Sequence, residues 1–417
     1  MKVMRKALSA LLLLLLFCGS AAANIAFTTV DANYTTAAVG VIDEELAAST
    51  VLSALASDHY ATSFVKDGKR LFAFLEHDYT TGDRAFVYGD TRTWTSPANV
   101  VWTNAVNVHG VAQMNNFLYA TSYGNGSVVQ LNNSDYRATG RYYIHEEVPA
   151  GYKAHGEKVL AVDGKICVLF GMTSGSYPSL TYESSELVVL DSNLSASEAV
   201  FTLGSNAVDM AYIGGRKIAV ACLGGLQRYG VNGSVQVVNL DAGKGEDALV
   251  SELELEAADT PLGAISAICA DGRSNGGFYF IAQKYASAAA KYPTLTLYHW
   301  TGSTQYPVKV HDPVDVSGYS CRLVLDTARE NRLFALMGDR IVAVNSNNDT
   351  VLRTFNSTVL GGNPSSIAVI DANIVGNAPD SGDGTGSGSG SGGGCDVSGF
   401  GVLALAALLG LRRRNVR

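Results

Sequence analysis

Three histidines stand just ahead of apolar runs: His59, His109 and His155, the last two within the repeated dipeptides His109-Gly110 and His155-Gly156. Imidazoles gathered at one point bind a transition metal or move protons near neutral pH. Their spacing to the next turn is uneven, however. His59 and His155 precede Gly68 and Gly164 by nine residues, whereas His109 precedes Asn116 by seven. That mismatch favours separate structural or surface roles, and no metal is expected. Asp209 and Arg322 interrupt otherwise apolar segments, where a charge must find a partner. With Asn107, Ser266 and Ser365 they outline a polar ring, in which His109, His155, Asp209 and Arg322 are the candidate ligand-binding residues. No catalytic residue is assigned. A Ser-centred nucleophile elbow, a His-Glu-x-x-His pair, a phosphate loop and a dinucleotide-type glycine turn are all missing from the sequence. The cofactor, if any, is not specified.

The elements that would position these residues repeat. Strand-turn-strand units begin near Tyr60, Gly110, Leu160, Met210, Ala267, Leu323 and Ala368, in steps of 50, 50, 50, 57, 56 and 45 residues. Four-stranded propeller blades recur at about 40–50 residues. Turn pairs close the first strand of successive units: Asp67-Gly68, Asn115-Asn116, Asp163-Gly164, Gly214-Gly215 and Asp271-Gly272. An apolar strand follows each. The clearest internal match sets Tyr123-Gly-Asn-Gly-Ser127 against Tyr229-Gly-Val-Asn-Gly-Ser234, an Asn-Gly turn feeding an alternating strand. The seventh unit runs out before completing four strands, and strands at 24–29, 37–42 and 51–54 have no unit of their own. Joining both ends in one blade removes exposed sheet edges. The expected fold is an all-β single propeller over residues 24–375, seven-bladed, with six or eight blades as the alternatives.

Composition agrees. Charged residues make up 16%, with 44 glycines and 20 tyrosines, which suits turn-rich β structure. The net charge of -8 becomes -14 once the basic residues Lys2, Arg5, Lys6, Arg412, Arg413, Arg414 and Arg417 are removed together with Asp396. So acidic a body lacks the basic footprint that nucleic acid requires. Cys167, Cys222, Cys269 and Cys321 each sit in an apolar run without zinc-site spacing, and are read as packed free thiols.

The two ends read as addresses. Lys2, Arg5 and Lys6 precede an apolar run at 7–17, and Ala21-Ala22-Ala23 offers a small-residue cleavage site, giving a signal peptide over 1–23 cut by signal peptidase after Ala23. Cys18 leaves a lipoprotein route as the alternative. A Gly/Ser-rich linker at 376–394 leads to Gly394-Cys395, a short apolar block and Arg412-Arg413-Arg414. Fifteen residues, 397–411, fall short of the roughly 20 that span a bilayer. A short membrane-associated helix with a cytoplasmic basic stop is expected, and a plain anchor is the alternative.

The tail Gly-Gly-Gly-Cys395-Asp-Val-Ser-Gly-Phe-Gly-Val-Leu-Ala-Leu-Ala-Ala-Leu-Leu-Gly-Leu-Arg-Arg-Arg resembles the C-terminal sorting domain of Synergistetes bacteria. The resemblance covers 395–417. It implies transient inner-membrane association, cleavage near Gly394-Cys395 by a rhomboid-type protease, and transfer to the surface of a Gram-negative cell. Val39-Gly-Val-Ile-Asp43, Val188-Val-Leu-Asp191 and Ile341-Val-Ala-Val-Asn345 also resemble surface-layer propeller repeats with a Val-Ile-Asp pattern. Together these readings point to an exported, surface-sorted binding module for an extracellular ligand or envelope partner. An exported propeller enzyme (lactonase, lyase or cofactor-dependent dehydrogenase) is the alternative.

Overall fold

The computed structural model describes residues 24–370 apart from short connecting stretches, the longer ones at 76–83, 89–98, 225–232, 242–249 and 254–261; between 49 and 104 only strand backbone is described. His59, the cleavage-site Ala23, the 376–394 linker, Gly394, Cys395, the expected C-terminal helix and Arg412, Arg413 and Arg414 lie outside the described residues.

The strands assemble into seven sheets among the described residues, each an antiparallel meander. The closing sheet holds β1 (Asn24–Val30), β2 (Ala37–Ile42) and β3 (Ala48–Leu55). Next come β4 (Ala61–Asp67), β5 (Arg70–Leu75), β6 (Arg84–Tyr88) and β7 (Asn99–Trp102). The third sheet is β8 (Val111–Met114), β9 (Phe117–Ser122), β10 (Ser127–Asn132) and β11 (Ala138–Ile144). The fourth is β12 (Lys153–Val162), β13 (Lys165–Ser174), β15 (Ser184–Leu190) and β16 (Ser197–Ser205), with the short β14 (Thr181–Tyr182) beside β13. The fifth is β17 (Ala207–Tyr212), β18 (Lys217–Cys222), β19 (Ser234–Asn239) and β20 (Val250–Leu253). The sixth is β21 (Ala264–Ala270), β22 (Phe278–Lys284), β23 (Thr294–Trp300) and β24 (Val308–Asp315). The seventh is β25 (Cys321–Asp326), β26 (Arg332–Met337), β27 (Arg340–Asn345) and β28 (Thr350–Asn356). One helical turn, α1 (Ser357–Leu360), then leads to β29 (Asn363–Ile370), which returns to the closing sheet and pairs with β1. Among the described residues no helix is long and apolar enough to cross a membrane.

The first strand of each sheet touches the first strand of the next: β4 with β8, β8 with β12, and so on through β17, β21 and β25 to β29, which touches β4. The architecture is therefore an all-β propeller. Four antiparallel strands bring the chain back to the side from which it entered, so every innermost strand starts at one mouth of the ring. Apolar faces of neighbouring blades close on one another. Cys167, Leu169 and Leu187 pack with Met210, Ile218 and Val220 in one such layer, and Tyr279, Ile281 and Leu297 with Leu333 and Ala335 in another. These layers are where the burial that stabilises the fold resides.

Local chemistry explains the recurring turns. At the first-to-second strand turn, Asp163 (φ 49°) and Gly164 (φ 78°) both take the left-handed conformation that a tight hairpin needs. The Val-Ile-Asp pattern marks the next outward turn. Asp43 Oδ1 accepts from Ala47 N (2.7 Å), Asp191 Oδ1 from Ser195 N (2.8 Å) and Asn345 Oδ1 from Asn347 N (3.0 Å).

The Asn-Gly-Ser repeat has a further reason. A Cβ on Gly126 would lie 2.6 Å from the Ala154 carbonyl oxygen of β12, and one on Gly233 would lie 2.4 Å from both Cys222 O and Ile265 N. Gly233 N also donates to Gly263 O across the blade junction (2.9 Å). Both glycines thus mark places where one blade's backbone meets the next. Because the obstructing atoms of Gly233 are backbone, Gly233→Ala is expected to cost about 3 kcal/mol, at the upper end of overpacking effects. Gly204→Ala, whose Cβ meets only side chains at 3.4 Å or more, should stay within about 1 kcal/mol. Urea denaturation of the two variants checks the contrast, and equal losses would refute it.

Candidate functional site

The entering mouth collects the candidate residues, because His109 lies just before β8 while His155, Asp209 and Arg322 lie near the starts of β12, β17 and β25. A repeated irregularity shapes this mouth. The pairing of innermost with second strand skips one residue at Thr62, Glu157, Val208, Ser266 and Ser365. Such a bulge adds a residue and re-aims its neighbours. β25 runs through without one.

The first group centres on Tyr123, whose ring lies between two imidazoles, 4.4 Å from His109 and 4.2 Å from His155 between centroids. His109 Nδ1 pairs with Glu157 Oε2 at 2.9 Å; His109 is about a quarter exposed and Glu157 less so. His155 is committed on both nitrogens. Its Nδ1 lies 2.8 Å from the Tyr123 carbonyl oxygen, which only an N–H can donate to, so Nε2 accepts from the Thr173 hydroxyl at 2.6 Å. Burial lowers the His155 pKa, more than the bond to Tyr123 raises it, so the ring stays neutral. His155 therefore orients Tyr123, and the His109–Glu157 pair is the exposed part of the group. The His-Gly dipeptides serve packing as well: a Cβ on Gly110 would come 3.0 Å from Lys158 Cα, and one on Gly156 2.9 Å from Ser127 O.

The second group lies on β12, β17 and β21. Asp209, nearly fully buried, accepts from Lys158 Nζ (2.7 Å), Met210 N (3.0 Å) and Ile268 N (3.1 Å). The carboxylate staples three innermost strands, one contact being the free-edge N–H of β21. This supplies the partner that a charge on an apolar strand requires. Arg322, half-buried on β25, donates from Nη1 to the Cys321 carbonyl oxygen (3.2 Å). Ser266 Oγ donates to Ile281 O at 3.2 Å, and Ser365 Oγ lies 2.8 Å from Thr28 Oγ1. Asn107 is buried in a left-handed conformation (φ 58°), its carbonyl accepting from Tyr123 N.

Among the described residues Cys167, Cys222 and Cys321 are buried and Cys269 half-buried. Burial pushes the Cys167 and Cys269 pKa values up to about 12 and that of Cys321 up to about 11, so at neutral pH they carry no charge. Among the described residues no group of three or more His, Cys, Asp or Glu side chains is arranged to hold a metal ion.

Tyr123, Glu157 and Lys158 were not among the sequence candidates. Glu157 follows His155-Gly156 directly, but the bulge that turns it to the mouth leaves no mark in a period-two pattern. Tyr123 opens the Asn-Gly repeat, which reads as turn chemistry alone.

No protein-family profile matches the sequence, and no curated protein matches it. Solved structures do. The chain is similar to a candidate 6-phosphogluconolactonase from Bacteroides uniformis (TM-score 0.57, 13% identity, covering 84% of this chain and 99% of that one). It is similar as well to a candidate 6-phosphogluconolactonase from Bacteroides fragilis (0.56, 13%, 85% and 99%). A protein from Lactobacillus plantarum matches at 0.56 with 14% identity, covering 84% of this chain and all of the other. At such identities the likeness bears on the fold alone.

Proposed function

We propose that this chain is an exported, surface-sorted, seven-bladed propeller that binds an extracellular ligand or envelope partner at its entering mouth. The observation that carries the reading is the mouth itself. Five innermost strands share the same bulge, and the strand starts at this end of the ring carry His109–Glu157 and Lys158 on one side and Arg322, on β25, on another, polar groups of the kind that fix a ligand. The seven-bladed count is supported by seven meanders whose innermost strands touch in sequence and return to the first. Export and sorting rest on the 1–23 leader and on Cys395 with its arginines.

Two measurements test this reading. Purified residues 24–375 are used to capture partners and glycans from whole cells, alongside His109→Ala and Glu157→Gln; recovery lost in both variants is expected, and equal recovery removes the mouth from the proposal. Mass spectrometry of the surface-exposed protein is expected to find a C-terminus near Gly394-Cys395. A terminus at Arg417 would make the tail an ordinary anchor.

One observation favours a second reading, lactone hydrolysis. A carboxylate that orients an imidazole, as Glu157 does His109, can make that ring a general base toward water. The description given to the two Bacteroides neighbours belongs to the same reaction class. Turnover of a panel of aldonolactones that fails with His109→Ala would establish it, and an inert wild-type protein would end it.

A further inference from the structure

Arg322 differs from six other cations of this acidic chain. Arg216, Arg273, Arg340, Lys158, Lys165 and Lys309 all lie within salt-bridge distance of a carboxylate. Arg322 does not. Among the described residues its one hydrogen bond runs from Nη1 to the carbonyl oxygen of Cys321, its own chain neighbour. The guanidinium is half-buried at the second residue of an innermost strand, where partial desolvation raises the cost of a charge with no counter-charge.

Among the described residues no carboxylate pairs with it. Asp209, the buried carboxylate of the mouth, is already held by Lys158 and two backbone N–H groups. The thiols of Cys321 and Cys269 are neutral at physiological pH, since burial pushes both pKa values up, to about 11 and about 12. What flanks Arg322 instead is hydroxyl. The innermost strands on either side, β21 and β29, each present the extra residue of their bulge, Ser266 and Ser365. Ser266 reaches the start of β25 directly, because its side chain hydrogen-bonds Cys321. Its other bond, to Ile281 O, is long at 3.2 Å, so the hydroxyl can turn toward a stronger acceptor. A forked, permanently charged donor with hydroxyls on both sides matches an oxyanion.

We propose that Arg322, flanked by Ser266 and Ser365, is an oxyanion subsite at the entering mouth that takes the carboxylate or phosphate group of a small organic acid. This rests on the ligand-binding reading of the mouth and specifies the chemical class of ligand. The anion is the counter-charge of Arg322.

Calorimetric titration of residues 24–375 with succinate and, separately, with inorganic phosphate tests the subsite. Calorimetry is preferable to melting because phosphate stabilises folded proteins by exclusion from their surface. Binding of either anion is expected, weakened about tenfold or more in Arg322→Gln and unchanged in Arg353→Gln, whose guanidinium lies over Phe355. Succinate alone binding would assign a carboxylate, phosphate alone a phosphate. Circular dichroism checks that the variants fold; should Arg322→Gln not fold, Arg322→Lys keeps the charge, loses the fork and should still bind more weakly. Binding of neither anion to the wild-type protein, or equal binding by the Arg322 variants, overturns the proposal. If cells yield a mouth-bound ligand without an acidic group, the subsite fails while the binding reading stands. If anions bind through Arg322 but nothing is captured at the mouth from cells, the binding reading fails and the subsite stands.

Discussion

A chain ended at Gly362, lacking β29, is expected to lose its cooperative melting transition, whereas one ended at Gly376 should keep it. β29 is the innermost strand of the closing sheet. It pairs with all seven residues of β1, from Asn24 opposite Ile370 to Val30 opposite Asn363. It also contributes Ile367 and Val369 to the apolar layer shared with Phe27, Phe334 and Phe355, and its contacts with β25 and β4 close the circle of innermost strands. Removing it uncovers that layer, frees the ladder of β1 and opens two blade junctions together. The loss is comparable to the whole stability margin of a domain, about 5–15 kcal/mol. Calorimetry and limited proteolysis of the two truncations decide the matter. A Gly362-ended chain that melts within a few degrees of the longer one would mean that the remaining sheets hold without closure.

This dependence on closure was readable in the sequence, because strands at 24–29 and 366–370 lacked partners in any local unit. The unit spacing, the Asp163-Gly164 hairpin and the outward turn at Asp191 were legible for the same reason. Each is a contact between residues close in the chain, where side-chain type and backbone conformation determine one another. The mouth was legible only as a set of strand starts. A bulge adds one residue without altering composition, so nothing in the sequence placed Glu157 against His109 or separated committed His155 from the partly exposed His109. Contacts between blades were equally hidden. Tyr119 of β9 donates to the Ser192 carbonyl of the next blade (2.7 Å), and Tyr279 of β22 sets its hydroxyl 3.0 Å from the Ser346 carbonyl and 2.7 Å from Asp349 Oδ1, also in the next blade. The signal was present, since Asp191-Ser192 and Asn345-Ser346 end the third strands of their units, but it connects residues about 70 apart.

The second of these latches should dominate the pH dependence of stability. The cross-strand partner of Tyr119 is Gln130, whereas that of Tyr279 is His299. His299 is fully buried, stacked on Tyr279 at 4.1 Å, with Nδ1 2.9 Å from Asp349 Oδ2 and Nε2 3.3 Å from Asp271 Oδ2. Acceptors at both nitrogens make the ring an imidazolium. Burial alone would lower its pKa, but the bonds to Asp271 and Asp349 raise it above the usual 6.5. For Asp349, burial alone would raise the pKa, but the bonds from His299 and Tyr279 lower it below 3.8. A raised histidine pKa contributes stability that is complete below 6.5 and lost as pH rises through the folded-state value. A lowered carboxylate pKa contributes stability that is present above 3.8 and lost as pH falls through the folded-state value. The latch is therefore strongest between those two limits and weakens on the alkaline side first. His299→Ala leaves two carboxylates short of a donor and opens a cavity beside Tyr279, which should cost about 4 kcal/mol at pH 6. His299→Gln copies the Tyr119–Gln130 pair, so it should cost less and remove the decline in stability between pH 6.5 and the folded-state pKa. Urea denaturation at pH 6 and pH 9 measures both effects. If His299→Gln and wild type lose stability in parallel over that interval, the histidine is neutral in the folded protein and the charged latch is refuted.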